Sequence, residues 1–545
     1  MQYSNIYSLF RTQVEKYRDL PVFFTRVGNG WHSQTWAEFE EKVHDLACAF
    51  LAKGLTKGAS VAILAGNLPE WTIVDIAAIA AGGVGVGIYP TSSAEQCEYI
   101  INHSDAEIVV VDTHAQLQKV LSSNCPAVKE IIVVEGLKDT LPAGRVSAFD
   151  DVLEFGRENR ERFLQEVEAI GFAAKPEDIA IMVYTSGTTG QPKGAMLTHQ
   201  YILNSVESLR RSVPIFDSDT AFSYLPGCHV AERISGIYNR LYNGTAAYFV
   251  DDLSRLYEYM FEVKPTVFAS LPRFFEKIHA KIVTKNGPGK IGPQAVKDAF
   301  GGEMRLLTSG GAPLPEEIAR FFADAGLPIL QAYGLTENIC VAFNQADDLK
   351  FGTVGKAMPM TEIKIAEDGE IFVKSPMMFS GYYKEPEKTA EMFDTDGWLK
   401  TGDLGELDED GFLKITGRKK EIIVLSSGKN VAPALIENLV KESHLISHCF
   451  AYGDGKSYCV ALITLNPAKA GANGNSTEAG VRALVDAAIA KANSRVSSSE
   501  QIKKYKILEH DFSAEADEIT PTMKLKRNVV AANYKDILET LYDKS

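Results

Sequence analysis

The sequence predicts an α/β fold: a large N-terminal domain of parallel-sheet α/β subdomains carrying a small antiparallel β subdomain, followed by a small mobile α+β C-terminal domain. Three patterns predict it. Over the first 180 residues, short apolar runs at 61–65, 84–88, 108–111 and 131–134 alternate with stretches that hold a helix or a loop, as in a largely parallel sheet. Near residue 360 the pattern changes to alternating runs that turn at Asp368-Gly369 and Asp410-Gly411, a hairpin signal because both residue types tolerate the positive φ of a tight turn. Beyond Lys420, strand, helix, hairpin and helix follow one another, joined to the rest by a short charged stretch at 417–420 that suits a hinge.

In chain order, Thr35-Trp36-Ala37-Glu38 reads as a capping box that opens a helix, and Phe39, Val43, Leu46, Ala47 and Phe50 recur at helical spacing behind it. The alternation continues through apolar runs at 179–183, 246–250, 267–270 and 304–308. Hairpins are expected over 362–373 and 404–415. The last region reads as a strand at 422–425, a helix at 434–441, a hairpin over 449–465 and a helix at 479–492, with an Ala-, Gly- and Asn-rich mobile loop at 468–479.

At roughly 100–200 residues per domain, 545 residues require more than one core. Hydrophobic residues at 45% and charged residues at 23% exclude fibrous and globally disordered classes. The net charge of −15 argues against a non-specific nucleic-acid binder. The seven cysteines form no CxxC pair and no framework, so they read as free thiols in a reducing compartment. The N-terminus lacks the apolar stretch of a signal peptide. The longest apolar stretch, 76–90, is Gly-rich and short of the about 20 residues that a membrane span needs. A cytoplasmic protein is expected, with room for peripheral contact at the inner membrane face.

The most informative segment is Tyr184-Thr-Ser-Gly-Thr-Thr-Gly-Gln-Pro-Lys193-Gly194, which follows an apolar strand. Glycines let backbone N–H groups approach an anion, hydroxyls donate to phosphate oxygens, and lysine supplies charge. The spacing of Gly187, Gly190 and Lys193, with Pro192 before the lysine, is not that of a P-loop.

This loop resembles the signature of the adenylate-forming (AMP-binding) superfamily of acyl-CoA synthetases, luciferases and peptide-synthetase adenylation domains. Further segments resemble its motifs in the expected order: Thr308-Ser-Gly-Gly-Ala-Pro313, Gln331-Ala-Tyr-Gly-Leu-Thr-Glu337, Trp398-Leu-Lys-Thr-Gly-Asp403, Gly417-Arg418-Lys-Lys-Glu421 and Pro521-Thr-Met-Lys-Leu-Lys526-Arg527. The resemblance implies a phosphate loop of Thr185, Ser186, Gly187, Thr188, Thr189, Gly190 and Lys193. It implies an adenine-side turn at Gly310, Gly311 and Ala312, and a nucleotide strand carrying Gln331, Ala332, Tyr333 and Gly334. Tyr333 would offer a flat face to adenine, Thr336 a donor to the α-phosphate, and Glu337 a carboxylate for Mg²⁺, a hard cation that prefers oxygen. Asp403 would accept both ribose hydroxyls, and Arg418 would pair with ribose or phosphate oxygens.

The same resemblance divides the chain into an AMP-binding domain at 1–417, with its β subdomain at about 350–417, and a lid at 418–545 that rotates at Lys420. The family places one lid lysine on the substrate carboxylate and α-phosphate. Alignment on Pro521-Thr522 selects Lys526, with Lys524 as the fallback. Tyr224-Leu-Pro-Gly-Cys-His229-Val-Ala-Glu-Arg233 and Leu271-Pro-Arg-Phe-Phe-Glu-Lys277 resemble segments of long-chain members, although Gly227-Cys228 stands where a bulkier pair is expected. His229 reads either as a satisfied structural histidine or as a neighbour of the acyl carboxylate.

The implied reaction is ATP- and Mg²⁺-dependent conversion of a fatty acid, of long chain on this resemblance, to acyl-AMP and then, with coenzyme A, to acyl-CoA, AMP and pyrophosphate. Carboxylate is a poor electrophile, so adenylation must precede attack by a thiol. The charge building on phosphoryl oxygens calls for Lys, Mg²⁺ and backbone donors aimed there. Lys193, Thr336, Glu337, His229 and Lys526 are the expected catalytic set, and the turn ending at Gly428 is the expected coenzyme A path. The alternatives are an acyl-AMP ligase with a carrier-protein acceptor, an aryl or medium-chain ligase, and a nucleotide-binding scaffold without turnover.

Overall fold

Four sheets build the described part of the chain up to Arg418. A computed structural model describes residues 3–136, 144–185, 191–287, 291–443, 445–466, 478–513, 515–520 and 524–543. The first sheet has seven strands in the order Val146–Ala148, Glu130–Val133, Ala106–Val111, Ser60–Leu64, Val84–Ile88, Ile179–Thr185 and Lys193–Thr198. All pair in parallel except the last, which folds back antiparallel so that Lys193 lies opposite Thr185. Its central strands are buried along their whole length, as expected of continuous apolar runs covered on both faces. The helix Trp36–Ala52 begins at Thr35, with both hydrogen bonds of the capping box in place.

The second sheet sets Val267–Ser270, Leu306–Ser309 and Ile329–Leu335 in parallel, then turns antiparallel through Asn338–Phe343 and Lys356–Ala357. The antiparallel subdomain is a meander of Glu362–Ile365, Glu370–Lys374, Leu399–Leu407 and Leu413–Arg418, with positive φ at Gly369 and Gly411 in the two anticipated turns. A fourth sheet holds a hairpin that the sequence reading missed, Pro21–Val27 with Gly30–Thr35.

The smaller C-terminal domain is built on Ile446–Tyr452, Cys459–Leu465 and a parallel strand, Ile502–Ile507, with helices Pro433–Lys441 and Glu478–Asn493. The expected strand at 422–425 is only Ile423–Val424, paired with Asn430–Val431. The loop expected at 468–479 lies outside the described residues up to 477. Among the described residues, the apolar clusters of 423–542 share no member with those that precede them. All seven cysteines are free and buried. Among the described residues, no helix is long and apolar enough to cross a membrane.

Candidate active site

Thr336 and Glu337 form the tip of the hairpin between Ile329–Leu335 and Asn338–Phe343. The pairing slips between Tyr333 and Leu335, and a Cβ on Gly334 would lie 2.0 Å from the Ile339 carbonyl oxygen, so the slip requires glycine. Fully buried Tyr201 fixes the tip: its hydroxyl donates to the Thr336 carbonyl at 3.0 Å and accepts from the Ile339 N–H at 3.1 Å. Glu337 is 8% exposed. Its Oε1 accepts a short hydrogen bond from the Tyr382 hydroxyl. No described residue donates to its other oxygen, so a hard oxygen donor remains for a cation. Among the described residues, no three His, Cys, Asp or Glu side chains gather as a metal cage. A single carboxylate suits Mg²⁺, which keeps waters and takes its other oxygens from nucleotide phosphates.

Three of the expected nucleotide residues form a chain. The Tyr333 hydroxyl donates to Asp403 Oδ2 at 2.6 Å, and Arg418 Nε stands 3.1 Å from Asp403 Oδ1. Asp403 and Arg418 are register partners on adjacent strands. Asp403 is buried, and the Tyr333 phenol is pushed well above its ordinary pKa by burial first and by the carboxylate second. Gly310 packs on the same strand, its added Cβ 3.5 Å from the Ala332 carbonyl, while Gly311 has φ +76° and leads to Ala312. The Leu314 N–H donates to Gln331 Oε1 at 3.4 Å, which ties this turn to the strand.

Thr185 ends its strand opposite Lys193; Ser186, Gly187, Thr188, Thr189 and Gly190 lie outside the described residues. Lys193 Nζ stands 4.1 Å over the Tyr382 ring. Its pKa is lowered, by burial first, while the Glu337 charge opposes and Lys420 reinforces the shift. Lys420 thus lies close enough for its charge to act on Lys193. It sits in the 3₁₀ turn Lys419–Glu421, whose first residue pairs with Asp368 at 2.6 Å and Glu370 at 2.7 Å. Gly428 adopts φ +77° in an open turn.

The segment before Arg233 explains its small residues. A Cβ on Gly227 would come within 2.9 Å of the Trp71 ring, and one on Gly87 within 2.5 Å of Cys228 Cα. Gly227-Cys228 therefore lies flush on the strand Val84–Ile88 and on Trp71, where a bulkier pair has no room. The residues after His229 wind as a π-helix, Ala231–Tyr238, a rare geometry that recurs at functional sites. Arg233, fully buried, pairs with Asp75, which also accepts from the Tyr238 hydroxyl at 2.7 Å. This ion pair anchors the segment to the helix Pro69–Ala80. His229 is half-buried and neutral: burial drives its pKa to about 4, and the charge of Lys524 adds to the effect.

The structure departs from expectation at the C-terminal lysine. Lys526 pairs with Asp517 and caps the helix Arg527–Asn533. Lys524 is the lysine whose charge lies close to Arg418, Asp403 and His229. Its pKa is lowered by crowding from the surrounding protein first and by Arg418 second, with Asp403 and Glu421 opposing. The reason is register. The Lys526 N–H donates to the Glu518 carbonyl and the Thr520 N–H to the Lys524 carbonyl, each at 2.8 Å, so along this antiparallel pairing Lys524 stands two residues farther from Glu518 than Lys526 does. At about 3.3 Å per residue that is nearly 7 Å of reach. Sequence reasoning also missed Tyr382 and Tyr201; for Tyr382, the signal was a Gly-Tyr pair, Gly381-Tyr382, in a loop between two hairpins.

This site stands beside clear likenesses to known proteins. The AMP-binding enzyme family matches residues 10–383, and the AMP-binding enzyme C-terminal domain matches residues 420–545. The chain belongs to the AMP-binding enzyme family. It is 36% identical to the long-chain-fatty-acid–CoA ligase FadD15 of Mycobacterium tuberculosis, across 97% of this chain and 96% of that protein. It is 30% identical to the long-chain-fatty-acid–CoA ligase ACSBG2 of Xenopus laevis, across 98% and 83%. Among solved structures it resembles ATP-bound MatB from Rhodopseudomonas palustris, at 25% identity and TM-score 0.74, covering 98% of this chain and all of that one. The adenylation domain of a carboxylate reductase from Mycobacterium chelonae shares the fold, at 23% identity and TM-score 0.81 over 99% and 91% of the two chains.

Proposed function

We propose that this chain is an ATP-dependent long-chain fatty acid–CoA ligase that works through an acyl-AMP intermediate. The observation that carries the reading is the pair of groupings that join the expected motifs: Lys193 and Glu337 on either side of Tyr382, and the Tyr333–Asp403–Arg418 chain with the charge of Lys524 beside it. The full-length relatives named for long-chain acids support the choice of acid over aryl or medium-chain alternatives. Intact charged residues at every expected position argue against a scaffold without turnover.

In this reading residues 1–417 bind ATP and the acid, and 418–545 form a lid hinged near Lys420. Asp403 and Arg418 orient the ribose, Tyr333 faces the adenine, and Lys193 and Thr336 meet the phosphates. The fatty carboxylate attacks the α-phosphate and pyrophosphate leaves. Lys524, not Lys526, supplies charge to the oxygens that become more negative in that step. Glu337 would hold Mg²⁺, which when bound neutralises phosphate charge. His229, uncharged at neutral pH, lines the carboxylate side without competing for the phosphates. After lid rotation the turn at Gly428 would line the approach of coenzyme A, whose thiol displaces AMP. Buried, unpaired cysteines support a reducing, cytoplasmic setting, and a long-chain acid would be met at the inner membrane face.

Pyrophosphate release across fatty acids from short to long chain, with and without coenzyme A, tests the reading. It predicts release that peaks at long chains and thioester formed only with coenzyme A. Release with aryl acids alone, or thioester formed on a carrier protein but not on coenzyme A, would contradict it.

A further inference from the structure

Lys193 and Glu337 carry opposite charges close enough to influence each other, yet no ion pair joins them. Tyr382 stands between them. Its ring face receives the Lys193 ammonium at 4.1 Å, and its hydroxyl, at the far edge of the same ring, donates to Glu337. The ring has little freedom. Tyr382 is 3% exposed, its N–H donates to Thr389 Oγ1 at 2.8 Å, and the Phe379 ring packs edge-on at 4.9 Å. The backbone around it is stitched to both charged residues. The Tyr383 N–H donates to the Gly194 carbonyl at 2.8 Å, the Met196 N–H to the Gly381 carbonyl at 2.9 Å, and the Phe379 N–H to the Glu337 carbonyl at 2.8 Å.

We propose that Tyr382 is a positioning residue that holds Lys193 and Glu337 apart, so that neither charge neutralises the other before ATP and its cation arrive. Opposite charges at about 4 Å in protein surroundings attract several times more strongly than in water. Without a spacer, the flexible lysine would fold onto the carboxylate. The aromatic face gives the ammonium a weaker resting place that phosphate can displace, and the hydroxyl turns one carboxylate oxygen away from the lysine. The proposal rests on the functional reading above, in which Lys193 meets phosphate and Glu337 holds the divalent cation.

The test is a double-mutant cycle read by Mn²⁺·ATP binding, using electron paramagnetic resonance and calorimetry on the full chain without fatty acid. Tyr382→Leu should weaken binding by about tenfold. In the Lys193→Met background the same Tyr382→Leu change should cost almost nothing, because no lysine remains to collapse onto Glu337. Tyr382→Phe, which preserves shape, should show a smaller loss with the same dependence on Lys193, and it carries the test if the leucine variant does not fold. Equal losses in both backgrounds would overturn the spacer role and leave the proposed function standing. An unaltered protein that binds no Mn²⁺·ATP would overturn both.

Discussion

Glu337 and Lys524 are presented by regions built in opposite ways. Glu337 sits at a hairpin tip whose backbone is fixed by Tyr201 and by the glycine-dependent slip at Gly334, and its carboxylate is held by Tyr382. Lys524 belongs to a domain with its own apolar core, and its backbone pairs with Thr520. Burial and hydrogen bonds make the first group stationary. The second is carried by the C-terminal domain, which meets the rest of the chain where Arg273 donates to the Ser447 carbonyl at 2.7 Å. A two-step reaction can use this difference: nucleotide contacts that persist through both steps belong on the stationary half, and a charge needed for one step belongs on the half that can leave.

Altering the large domain should have a large effect. Glu337→Gln keeps the size and removes the charge, so adenylation at limiting Mg²⁺ should fall by about 10², as read by pyrophosphate release against Mg²⁺ concentration. An unchanged Mg²⁺ dependence would remove Glu337 from the cation site. Next, Gly334→Ala should destabilise by about 1–3 kcal/mol, because the new Cβ would overpack against the Ile339 carbonyl. Denaturant titration checks this, and an unchanged midpoint would show that the slip does not depend on glycine.

The proposed mobility of the C-terminal domain is probed by freezing it. Lys420→Pro fixes φ at the expected hinge, so thioester formation should fall severalfold more than adenylation in separate half-reaction assays. Equal losses would place the hinge elsewhere. The smallest effect sharpens the comparison most. Burial dominates the low pKa of His229, and the Lys524 charge adds to it. Removing that positive charge favours the protonated imidazole, so Lys524→Met should raise the His229 pKa above about 4 while leaving it below the ordinary value. A nuclear magnetic resonance titration reads this directly. No movement would mean that the lysine does not dwell near His229.

The sequence made the large N-terminal domain readable and the smaller C-terminal domain only partly so. Strands such as Val84–Ile88 and the turns at Asp368-Gly369 and Asp410-Gly411 follow from local periodicity and turn chemistry. Asp403 and Arg418 stood in separate motifs, and pairing on adjacent strands brings them together. The choice between Lys524 and Lys526 depends on which residues of 518–520 and 524–526 face each other, which spacing alone does not encode. The Gly381-Tyr382 pair marked a turn but not its role, which arises from the backbone pairing of residues 379–383 with the Lys193 strand and with Glu337. The π-helix at Ala231–Tyr238 has no periodic signature in the sequence.

The central claim is that Lys524 is the charge delivered for adenylation and withdrawn for thioester formation. The direct measurement compares Lys524→Ala and Lys526→Ala in the two half-reactions. For Lys524→Ala the account predicts a loss of about 10²–10³ in acyl-adenylate formation, with near-normal thioester formation from pre-made acyl-adenylate and coenzyme A. Lys526→Ala, which breaks only the pair with Asp517, should leave both steps close to normal. A large selective loss at Lys526, or equal slowing of both steps at Lys524, would contradict the account.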